Sequence, residues 1–386
     1  MSLDSLSREQ LVGAVRRFVQ ERLVPQERAV AEADSIPDGI VDEMRGLGLF
    51  GLSTPAEYGG LGLGLVDEMH IAFELGQTSP AFRSLFGTNI GIGSLGILID
   101  GTEAQKRSYL PRLASGEIIG SFCLTEPEAG SDAASLTTSA RREGDSYLLN
   151  GTKRFITNAP RAGLFTVMAR TQPVESGTAG ISAFLVEAGL PGIAIGPAYR
   201  KMGQQGTQVA DVVFTDCRVP ATALLGGVEG RGFKTAMKVL DRGRLHISAV
   251  CVGAAERLIA DSLRYALERR QFGKPIGEFQ LIQAMLADSK TEAYAARCMV
   301  LDAATRADQG ESIATPAACC KLFASEMVGR VADRAVQIHG GAGYVADYAV
   351  ERFYRDVRLF RIYEGTSQIQ QIIIARSMLR DAAAAM

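Results

Sequence analysis

Residues 233–270 read FKTAMKVLDRGRLHISAVCVGAAERLIADSLRYALERR, a long stretch that contains no proline. Because proline breaks helix interiors, an apolar-rich stretch of this length without one predicts a single long helix. Residues 278–309 and 316–340 are comparable stretches. Long helices joined by short loops predict an antiparallel bundle for the C-terminal part of the chain.

The two regions upstream of this helix differ from it and from each other. Between residues 117 and 226, short apolar segments separated by Gly, Pro and Asp predict strands of a compact barrel or sandwich. Asn150-Gly151, within SYLLNGTKRFI, predicts a hairpin turn. The residues before 117 predict helices separated by Gly/Pro loops. We therefore predict an α+β fold, mostly α, with a helical N-terminal domain (1–120), a middle β-barrel or β-sandwich domain (121–226) and a C-terminal helical bundle domain (227–386).

The overall composition argues against several classes of protein. The 386 residues include 41 Lys and Arg and 43 Asp and Glu, so the near-neutral chain shows no sign of nucleic-acid binding or of a basic membrane-binding surface. No uninterrupted apolar run is long enough to cross a bilayer, and the polar N-terminal segment predicts neither a signal peptide nor a transit peptide. Six scattered cysteines indicate reduced thiols in a cytoplasmic protein, and three scattered histidines do not suggest a metal site.

Two segments of the predicted β-domain have side chains suited to a polar or aromatic ligand. LTEPEAGSD, residues 124–132, offers the hydroxyls of Thr125 and Ser131 and the bare backbone of Gly130, although a turn between strands has the same composition. FITN, residues 155–158, places an aromatic ring beside a threonine hydroxyl, which suits a flat heteroaromatic ring but also occurs at ordinary strand ends.

Two segments near the ends of the long helices have the composition of a phosphate site. ERRQFGKPIGEFQLIQ, residues 268–283, places Arg269, Arg270 and Lys274 at a turn, where cations either hold phosphates or face solvent. HGGAGY, residues 339–344, follows a predicted helix and so lacks the strand–turn–helix context of a dinucleotide-binding motif. It is equally typical of a helix C-cap.

The segment RIYEGTSQIQQI, residues 361–372, places one glutamate between a tyrosine and a glycine just before a predicted helix. Ser367 and Gln370 have the spacing of a capping box at the start of that helix. Helix starts usually carry a carboxylate in the first turn, whereas Glu364 lies earlier, on the loop. It is therefore either a displaced capping residue or a base directed at a ligand, and the other segments favour a ligand that carries a flat ring and phosphates.

The order and spacing of these segments resemble the acyl-CoA dehydrogenase family. The matching motifs, which cover essentially the whole chain, are LTEPEAGSD, NGTKRFITN, KMG, FTDCRVP, LDRGRLHIS, ERRQFGKPIGEFQLIQ, QIHGGAGY and RIYEGTSQIQ. The resemblance implies FAD as the cofactor, a C-terminal four-helix bundle and a homotetramer built as a dimer of dimers. It also implies dehydrogenation of an acyl-CoA thioester to a trans-2-enoyl-CoA, with Glu364 as α-proton base, flavin N5 as hydride acceptor and an electron-transfer flavoprotein as partner.

The resemblance assigns roles to further residues of this chain. The implied cofactor-binding residues are Phe122, Leu124, Thr125, Gly130, Ser131, Phe155, Thr157, Arg269, Phe272, Gln280, Gln337, Gly340, Gly341, Thr366 and Gln368. Those between Arg269 and Gly341 are expected to contact the FAD of a neighbouring subunit. The implied substrate-binding residues are Ser131, Asp241, Arg244, Tyr363 and Gly365.

Three positions depart from the family pattern. Gly243 stands where one branch of the family carries its base, which leaves Glu364 as the candidate. Phe155 stands where tryptophan is frequent. KMGQQGT replaces KMG-x-R-x-S, so that Gln205 takes the place of an arginine and a local salt bridge is expected to be absent.

Arg83 lies in an apolar segment whose FRS sequence resembles that of glutaryl-CoA dehydrogenases, where an arginine binds the distal carboxylate of the substrate. Gly76 and the Ser367-Gln368 pair differ from those enzymes. Arg83 is therefore expected to bind a carboxylated acyl-CoA, to pair with a protein carboxylate or to face solvent. The open alternatives for function are a dehydrogenase of a carrier-protein-bound thioester, a flavin oxidase or monooxygenase, and a non-enzymatic scaffold.

Overall fold

The computed structural model describes residues 4–386, which begin with a helical N-terminal region. Its helices are α1 (Ser5–Phe18), α2 (Glu27–Ala33), α3 (Asp38–Gly46), α4 (Leu65–Leu75), α5 (Pro80–Ile90), α6 (Leu95–Asp100) and α7 (Glu103–Ala114). A capping box starts α7, because Thr102 and Gln105 each accept from the other's backbone N–H. The helix ends just before Gly116, whose φ of 72° favours glycine.

The middle of the chain forms one seven-stranded sheet. Its strands are β1 (Ile119–Cys123), β2 (Ser139–Glu143), β3 (Ser146–Thr157), β4 (Ala162–Arg170), β5 (Ile181–Glu187), β6 (Ile193–Ile195) and β7 (Val209–Pro220). They lie in the order β1-β4-β2-β3-β7-β6, with β5 paired to β4. β1 and β2 run parallel to β4, and the other pairs are antiparallel. Phe165, Phe184 and Phe214 are buried in the core of this sheet.

The hairpin turn predicted at Asn150-Gly151 is wrong. β3 runs through this dipeptide, and the hairpin turn instead joins β2 to β3 at Gly144, whose φ is 58°. At Gly151 the register of β3 against β7 shifts, as it does at a β-bulge. A Cβ atom at Gly151 would lie 2.4 Å from the Thr138 hydroxyl, so this glycine permits close packing rather than a turn.

Long helices surround one apolar core in the C-terminal region. They are α8 (Gly232–Glu268), α9 (Gln280–Asp308), α10 (Ala314–His339), α11 (Ala349–Val357) and α12 (Ser367–Ala384), with β8 (Arg270–Gln271) and β9 (Lys274–Pro275) forming a hairpin after α8. Leu258, Val300 and Met327 from three of these helices are fully buried together with Phe73 of α4. The proline-free stretch thus forms one helix, and the predicted α+β, mostly α class is confirmed.

The segment Pro80–Asp100 corrects the prediction that no part of the chain is apolar enough to cross a bilayer. It meets that requirement by length and composition, with a mean hydropathy of 1.3. In the fold it is divided into α5 and α6, and 78% of its most apolar window is buried in the interior. Phe82 and Ile97 from this segment lie in apolar cores beside β1 and α8. The segment therefore packs as a core element that also reaches the candidate site.

Candidate active site

The predicted base lies on a short loop in front of α12. The backbone there is in the left-handed region at two consecutive residues, with φ of 55° at Glu364 and 92° at Gly365. A glutamate in this region is strained, so its surroundings must hold it. The Nε2 of Gln370 donates to the carbonyls of Glu364 (3.2 Å) and Gly365 (2.9 Å), and the Nζ of the buried Lys321 donates to the Gly365 carbonyl at 2.6 Å. Side chains from two helices thus hold the backbone at Glu364 and Gly365.

The cap of α12 differs from the predicted capping box. The N-cap is Thr366, whose extended backbone (φ −59°, ψ 164°) lets its hydroxyl accept from the Ile369 N–H. Ser367 is already helical, and its hydroxyl donates to Glu326 at 2.6 Å. The Gln370 amide serves the base loop instead of the cap, so the predicted Ser367–Gln370 pairing is wrong.

One oxygen of the Glu364 carboxylate has no hydrogen-bond partner among the described residues. Within residues 4–386, its Oε2 is buried and has no donor. Burial raises the pKa of Glu364 above its usual value, while the nearby cations of Arg83 and Lys321 limit that rise. On α8, a Cβ atom at Gly243 would lie 2.4 Å from Oε2. The glycine therefore provides the space that the carboxylate occupies, and the unpaired oxygen is typical of a functional group.

Glu364 lines a cavity of about 350 Å³ where the three regions of the chain meet. The structure brings together around it many of the predicted residues, namely Arg83, Phe122, Leu124, Thr125, Gly130, Ser131, Phe155, Thr157, Arg244, Tyr363 and Gly365. Residues from a strand end, a loop and two helices therefore converge on one space, although Arg83 and Gly365 lie far apart in the sequence.

A buried ion pair fixes the loop that contains Thr125, Gly130 and Ser131. The Nζ of Lys153 on β3 lies 2.8 Å from Oε1 of Glu126, and both side chains are almost fully buried. The same carboxylate accepts from the backbone N–H groups of Thr137 and Thr138. Burial raises the pKa of Glu126, but Lys153 and these donors outweigh burial and lower it to about 2. The glutamate in LTEPEAGSD is therefore structural and leaves the neighbouring hydroxyls free to face the cavity.

Phe155 presents its ring to the edge of the cavity in an unusual conformation. Its φ is 58° and the residue is 58% exposed, which is rare for a large apolar residue. The Arg154 guanidinium lies 5.5 Å from the ring centroid, and the Tyr199 ring is 5.3 Å away. An exposed ring in a strained backbone next to Thr157 is suited to packing on a flat ligand.

Other predicted residues do not line this cavity. Arg269, Phe272 and Gln280 are exposed around the β8–β9 hairpin, and Gln337, Gly340 and Gly341 are exposed at the end of α10. Their predicted contacts involve a neighbouring subunit and remain a prediction. Gln368 is exposed on α12, Thr366 caps that helix, and Asp241 pairs with Arg244 at 2.5 Å.

Sequence reasoning missed the residues that hold the Glu364 loop. Lys321 is fully buried within α10, and Gln370 is fully buried within α12. The one available signal was a lysine in the apolar CCKLF stretch, where a buried charge requires a partner. Gln205, which stands where the family has an arginine, makes a hydrogen bond in place of the expected salt bridge. Arg355 donates to its side-chain oxygen at 3.3 Å.

These features define a class of protein. One space is lined by an aromatic residue, by a loop of hydroxyls and bare backbone, and by a glutamate whose Oε2 has no partner among residues 4–386. A Cβ atom at Gly130 would meet no heavy atom within 4 Å, so the loop leaves room for a ligand against its backbone. The residues present fit a flat, hydrogen-bonding ring placed beside a proton acceptor, which is the arrangement of a flavin-dependent oxidoreductase.

Comparison with known proteins gives the family. Models of the N-terminal, middle and C-terminal domains of acyl-CoA dehydrogenases match residues 6–117, 121–217 and 230–379. The chain therefore belongs to the acyl-CoA dehydrogenase family, which makes it an oxidoreductase with FAD as its cofactor.

Individual relatives match along nearly the whole chain. The acryloyl-CoA reductase (NADH) of Anaerotignum propionicum is 43% identical over 380 residues, which are 97% of this chain and 96% of that protein. An acyl-CoA dehydrogenase of Bacillus subtilis (strain 168) is 40% identical over 365 residues, which are 95% and 96% of the two chains.

Solved structures with the same fold include three informative ones. Butyryl-CoA dehydrogenase from Megasphaera elsdenii has a TM-score of 0.94 at 36% identity, over 98% of this chain and 99% of that one. A chain in a structure of the electron transferring flavoprotein of Acidaminococcus fermentans has a TM-score of 0.94 at 38% identity, again over 98% and 99%. An acyl-CoA dehydrogenase complexed with FAD from Bacillus anthracis has a TM-score of 0.92 at 34% identity, over 99% and 68%.

Proposed function

We propose that this chain dehydrogenates an acyl-CoA thioester to a trans-2-enoyl-CoA, with Glu364 as the base that removes the α-proton. The observation that carries this proposal is the buried Oε2 of Glu364, which has no donor among the described residues, on a side chain that lines the cavity that fits FAD. A carboxylate that no donor satisfies is a stronger proton acceptor than a solvated one, because burial has raised its pKa.

The surroundings of Glu364 limit the rise of its pKa and fix its backbone. Arg83, Lys321 and Arg244 are the cations that oppose the effect of burial on its pKa. Gln370 donates to the carbonyls of Glu364 and Gly365, and Lys321 donates to that of Gly365, so the backbone that carries the carboxylate is held in one conformation. Gly365 lines the same cavity and adds no side chain that would compete with an acyl chain.

Three groups of residues would hold the cofactor beside the base. Phe155 would pack on the flat ring, Thr157 and Thr125 would hydrogen-bond to its polar edge, and Ser131 would lie between cofactor and thioester. FAD supplies the acceptor for the β-hydride and carries the electrons to the next protein. The apolar residues of the lining, which include Phe122 and Leu124, would exclude water from the site.

We further propose an electron-transfer flavoprotein as electron acceptor, a homotetramer and a cytoplasmic location. The fold shared with a chain of the Acidaminococcus fermentans electron transferring flavoprotein structure supports the first. Phe272, Leu281 and Tyr344 are 92%, 81% and 86% exposed, which supports the burial of this end of the bundle by another subunit. The six cysteines are unpaired, as expected of a reducing compartment.

Anaerobic titration of the purified yellow protein tests the proposed reaction. Straight-chain, branched and carboxylated acyl-CoA esters are added in turn, and we expect at least one of them to bleach the flavin absorbance. Carrier-protein thioesters form a second arm of this screen. A flavin that no acyl thioester reduces, and that an enoyl-CoA does not reoxidise after chemical reduction, would contradict the proposal.

A carboxylated acyl-CoA is the second candidate substrate, and the state of Arg83 favours it. Arg83 is only 8% exposed, lines the cavity beside Glu364, and has a buried Nε without a partner. Within the described chain, no Asp or Glu forms an ion pair with it, which removes the expectation of a structural partner. A buried, unpaired guanidinium is suited to bidentate binding of a carboxylate supplied by the substrate.

A further inference from the structure

The loop of residues 201–207, which leads into β7, forms part of the wall of the cavity that fits FAD. Lys201, Gln204 and Thr207 line this cavity, and so does Val209, the first residue of β7. Val209 is paired with Thr157 on β3, which is proposed to hydrogen-bond to the flavin. The position of the 201–207 loop is therefore tied to that of the strand end proposed to hold the cofactor.

A buried aspartate of α11 holds this loop from the side away from the cavity. The carboxylate of Asp356 accepts from the backbone N–H of Gln204, and the Nε2 of Gln204 donates to the Asp356 carbonyl at 3.1 Å. Gln204 is buried and its φ of 53° is strained for a residue with a side chain, so these two bonds maintain an unfavourable conformation. A Cβ atom at Gly203 would lie 2.7 Å from Oδ1 of Asp356, so only glycine lets the loop approach α11 this closely.

Two further contacts hold the loop on either side of Gln204. The Nη1 of Arg355 on α11 donates to the Met202 carbonyl at 3.1 Å. The Gly206 N–H donates at 2.6 Å to Oδ1 of Asp34, the residue that follows α2. Residues from all three regions of the chain thus meet at this loop and fix its path.

The helix that holds the loop also leads directly to the base. Asp356 lies in the last turn of α11, and the chain then continues through a short helical turn, Arg358–Arg361, to Glu364. Leu359, Tyr363 and Glu364 line the same cavity as the loop. The contact between Asp356 and Gln204 therefore joins the segment that carries the base to the strand end proposed to hold the flavin.

The proposed reaction depends on the spacing between these two parts of the molecule. The base removes the α-proton of the acyl chain while the β-hydride leaves for the cofactor, so the substrate must contact both at once. A displacement of about 1 Å costs roughly 100-fold in rate. A contact that joins the two parts can thus control the coupled reaction without touching the substrate.

We propose that Asp356 is a positioning residue, which acts through Gln204 to set the spacing between Glu364 and the flavin. This inference rests on the proposed dehydrogenase function and adds to it a contact behind the wall of the cavity. It assigns Asp356 no part in binding the substrate or in moving the proton.

The charge of Asp356 does not itself stabilise the fold. Burial raises the pKa of Asp356 to about 6 and nearby Glu27 adds to the rise, although the Gln204 N–H, Arg352 and Arg355 oppose it. At pH 8 the group is ionised, and because its pKa is raised in the folded state, folding bears a cost for this charge. An uncharged acceptor at the same place should therefore leave the protein at least as stable at pH 8.

Two measurements on the FAD-loaded protein separate the spacing from the chemistry of the base. Flavin reduction by an acyl-CoA requires the base and the cofactor at the correct distance. Exchange of the α-hydrogen with D₂O, followed by NMR after the flavin has been reduced with dithionite, requires only the base. Both use the saturated acyl-CoA that reduces the wild-type flavin fastest.

Asp356→Ala removes the acceptor of the Gln204 N–H, and Asp356→Asn replaces it with an uncharged oxygen. For Asp356→Ala we expect flavin reduction to slow at least about tenfold, while α-hydrogen exchange and the Kd of the acyl-CoA change less than about threefold. Asp356→Asn should recover most of the rate without lowering the melting temperature at pH 8. Asp302→Ala, at an exposed aspartate on α9, is the control.

Gln204→Gly tests the same contact from the loop side and keeps the proposal testable where Asp356→Ala does not fold. Glycine adopts the left-handed conformation without strain but lacks the Nε2 that donates to the Asp356 carbonyl. We expect a smaller loss of the same kind, with faster amide hydrogen exchange in peptides from the 201–207 loop. Equal losses of flavin reduction and α-hydrogen exchange, or wild-type flavin reduction in both variants, would overturn the proposal.

The failure of this inference differs from the failure of the proposed function. A wild-type protein that exchanges no α-hydrogen, and whose flavin no acyl-CoA reduces, defeats the dehydrogenase function itself. An active wild type with an unchanged rate in Asp356→Ala defeats only the positioning role. Release of FAD from Asp356→Ala on ultrafiltration would show that the loop retains the cofactor rather than sets its spacing, and it would also contradict the proposal.

Discussion

The loop that carries Glu364 and the end of the bundle around the β8–β9 hairpin are built in opposite ways. Around the loop, Lys321 and Gln370 are fully buried and both bind its carbonyls. Around the hairpin, Phe272 is 92% exposed and the neighbouring Leu281 is 81% exposed. The site proposed for proton removal is thus formed by residues of one chain. The residues proposed to bind the far part of FAD need a second chain to complete their site. Substitutions at the two places should consequently affect different properties.

The largest selective effect is expected from Arg83→Ala. With a dicarboxylic substrate such as glutaryl-CoA, loss of a buried charge-assisted contact should cost about 2–5 kcal/mol in transition-state binding. Butyryl-CoA, which has no distal carboxylate, should lose far less when both are measured as kcat/KM at pH 8. Equal losses on the two substrates would remove Arg83 from substrate binding and leave it a structural residue.

A second test places a methyl group against the base. In Gly243→Ala the new Cβ would lie 2.4 Å from Oε2 of Glu364, so the flexible carboxylate must move. A displacement of about 1 Å costs roughly 100-fold in rate, while replacing glycine by alanine within a helix stabilises it by about 0.5–1 kcal/mol. We expect flavin reduction to slow by that order while the melting temperature stays level or rises.

The matched control for this substitution is Gly39→Ala on α3, where a Cβ meets no atom within 4 Å. It should leave the rate of flavin reduction unchanged. Full activity in Gly243→Ala would show that the carboxylate does not need its observed position.

A smaller effect with a distinct pH signature is expected from Lys321→Met. Lys321 lowers the pKa of Glu364, so its removal should raise that pKa further. Because the proposed base acts when ionised, the acidic limb of kcat/KM should move to higher pH. An additional loss of about tenfold is expected because the Gly365 carbonyl keeps only its bond to Gln370. Lys290→Met, at an exposed lysine on α9, is the control. A lower rate with an unshifted limb would limit Lys321 to a structural role.

The smallest effect on the reaction is expected from a substitution at the β8–β9 hairpin. Phe272→Ala removes a ring that is 92% exposed in the single chain, so the free energy of unfolding of the subunit should change by less than about 0.5 kcal/mol. Assembly and retention of FAD on dilution should weaken together, as followed by sedimentation and flavin absorbance. Val174→Ala, at an exposed residue of the β-region, should weaken neither assembly nor the retention of FAD. A Phe272→Ala protein that dissociates but stays yellow would contradict a cofactor site shared between subunits.

Local patterns were sufficient for the long elements, and the family resemblance was sufficient for the position of Glu364. The proline-free stretch became α8, and the resemblance of RIYEGTSQIQ to the family placed Glu364 in the cavity. The Asn150-Gly151 hairpin failed because the conformation at Gly151 depends on Thr138, a neighbour across the sheet that no local rule includes. Similarly, Thr366 and not Ser367 caps α12, since Glu326 of α10 occupies the Ser367 hydroxyl.

The supporting residues of the site were beyond the reach of sequence reasoning for the same physical reason. Gln204 and Asp356 are 152 positions apart, and Lys321 and Gly365 are 44 positions apart. No spacing rule relates residues that meet only through tertiary packing. Such contacts become visible once burial and unsatisfied donors and acceptors are known.

Anaerobic stopped-flow measurement of flavin reduction in Glu364→Gln tests the central claim most directly. The variant and the wild type are loaded with FAD to equal absorbance and mixed with the acyl-CoA that reduces the wild-type flavin fastest. The amide is nearly isosteric but cannot accept the α-proton, so we expect FAD and ligand to bind normally while reduction slows by about a thousandfold. Reduction by Glu364→Gln at a rate near that of the wild type would mean that another group removes the proton, and the role given to Glu364 would be wrong.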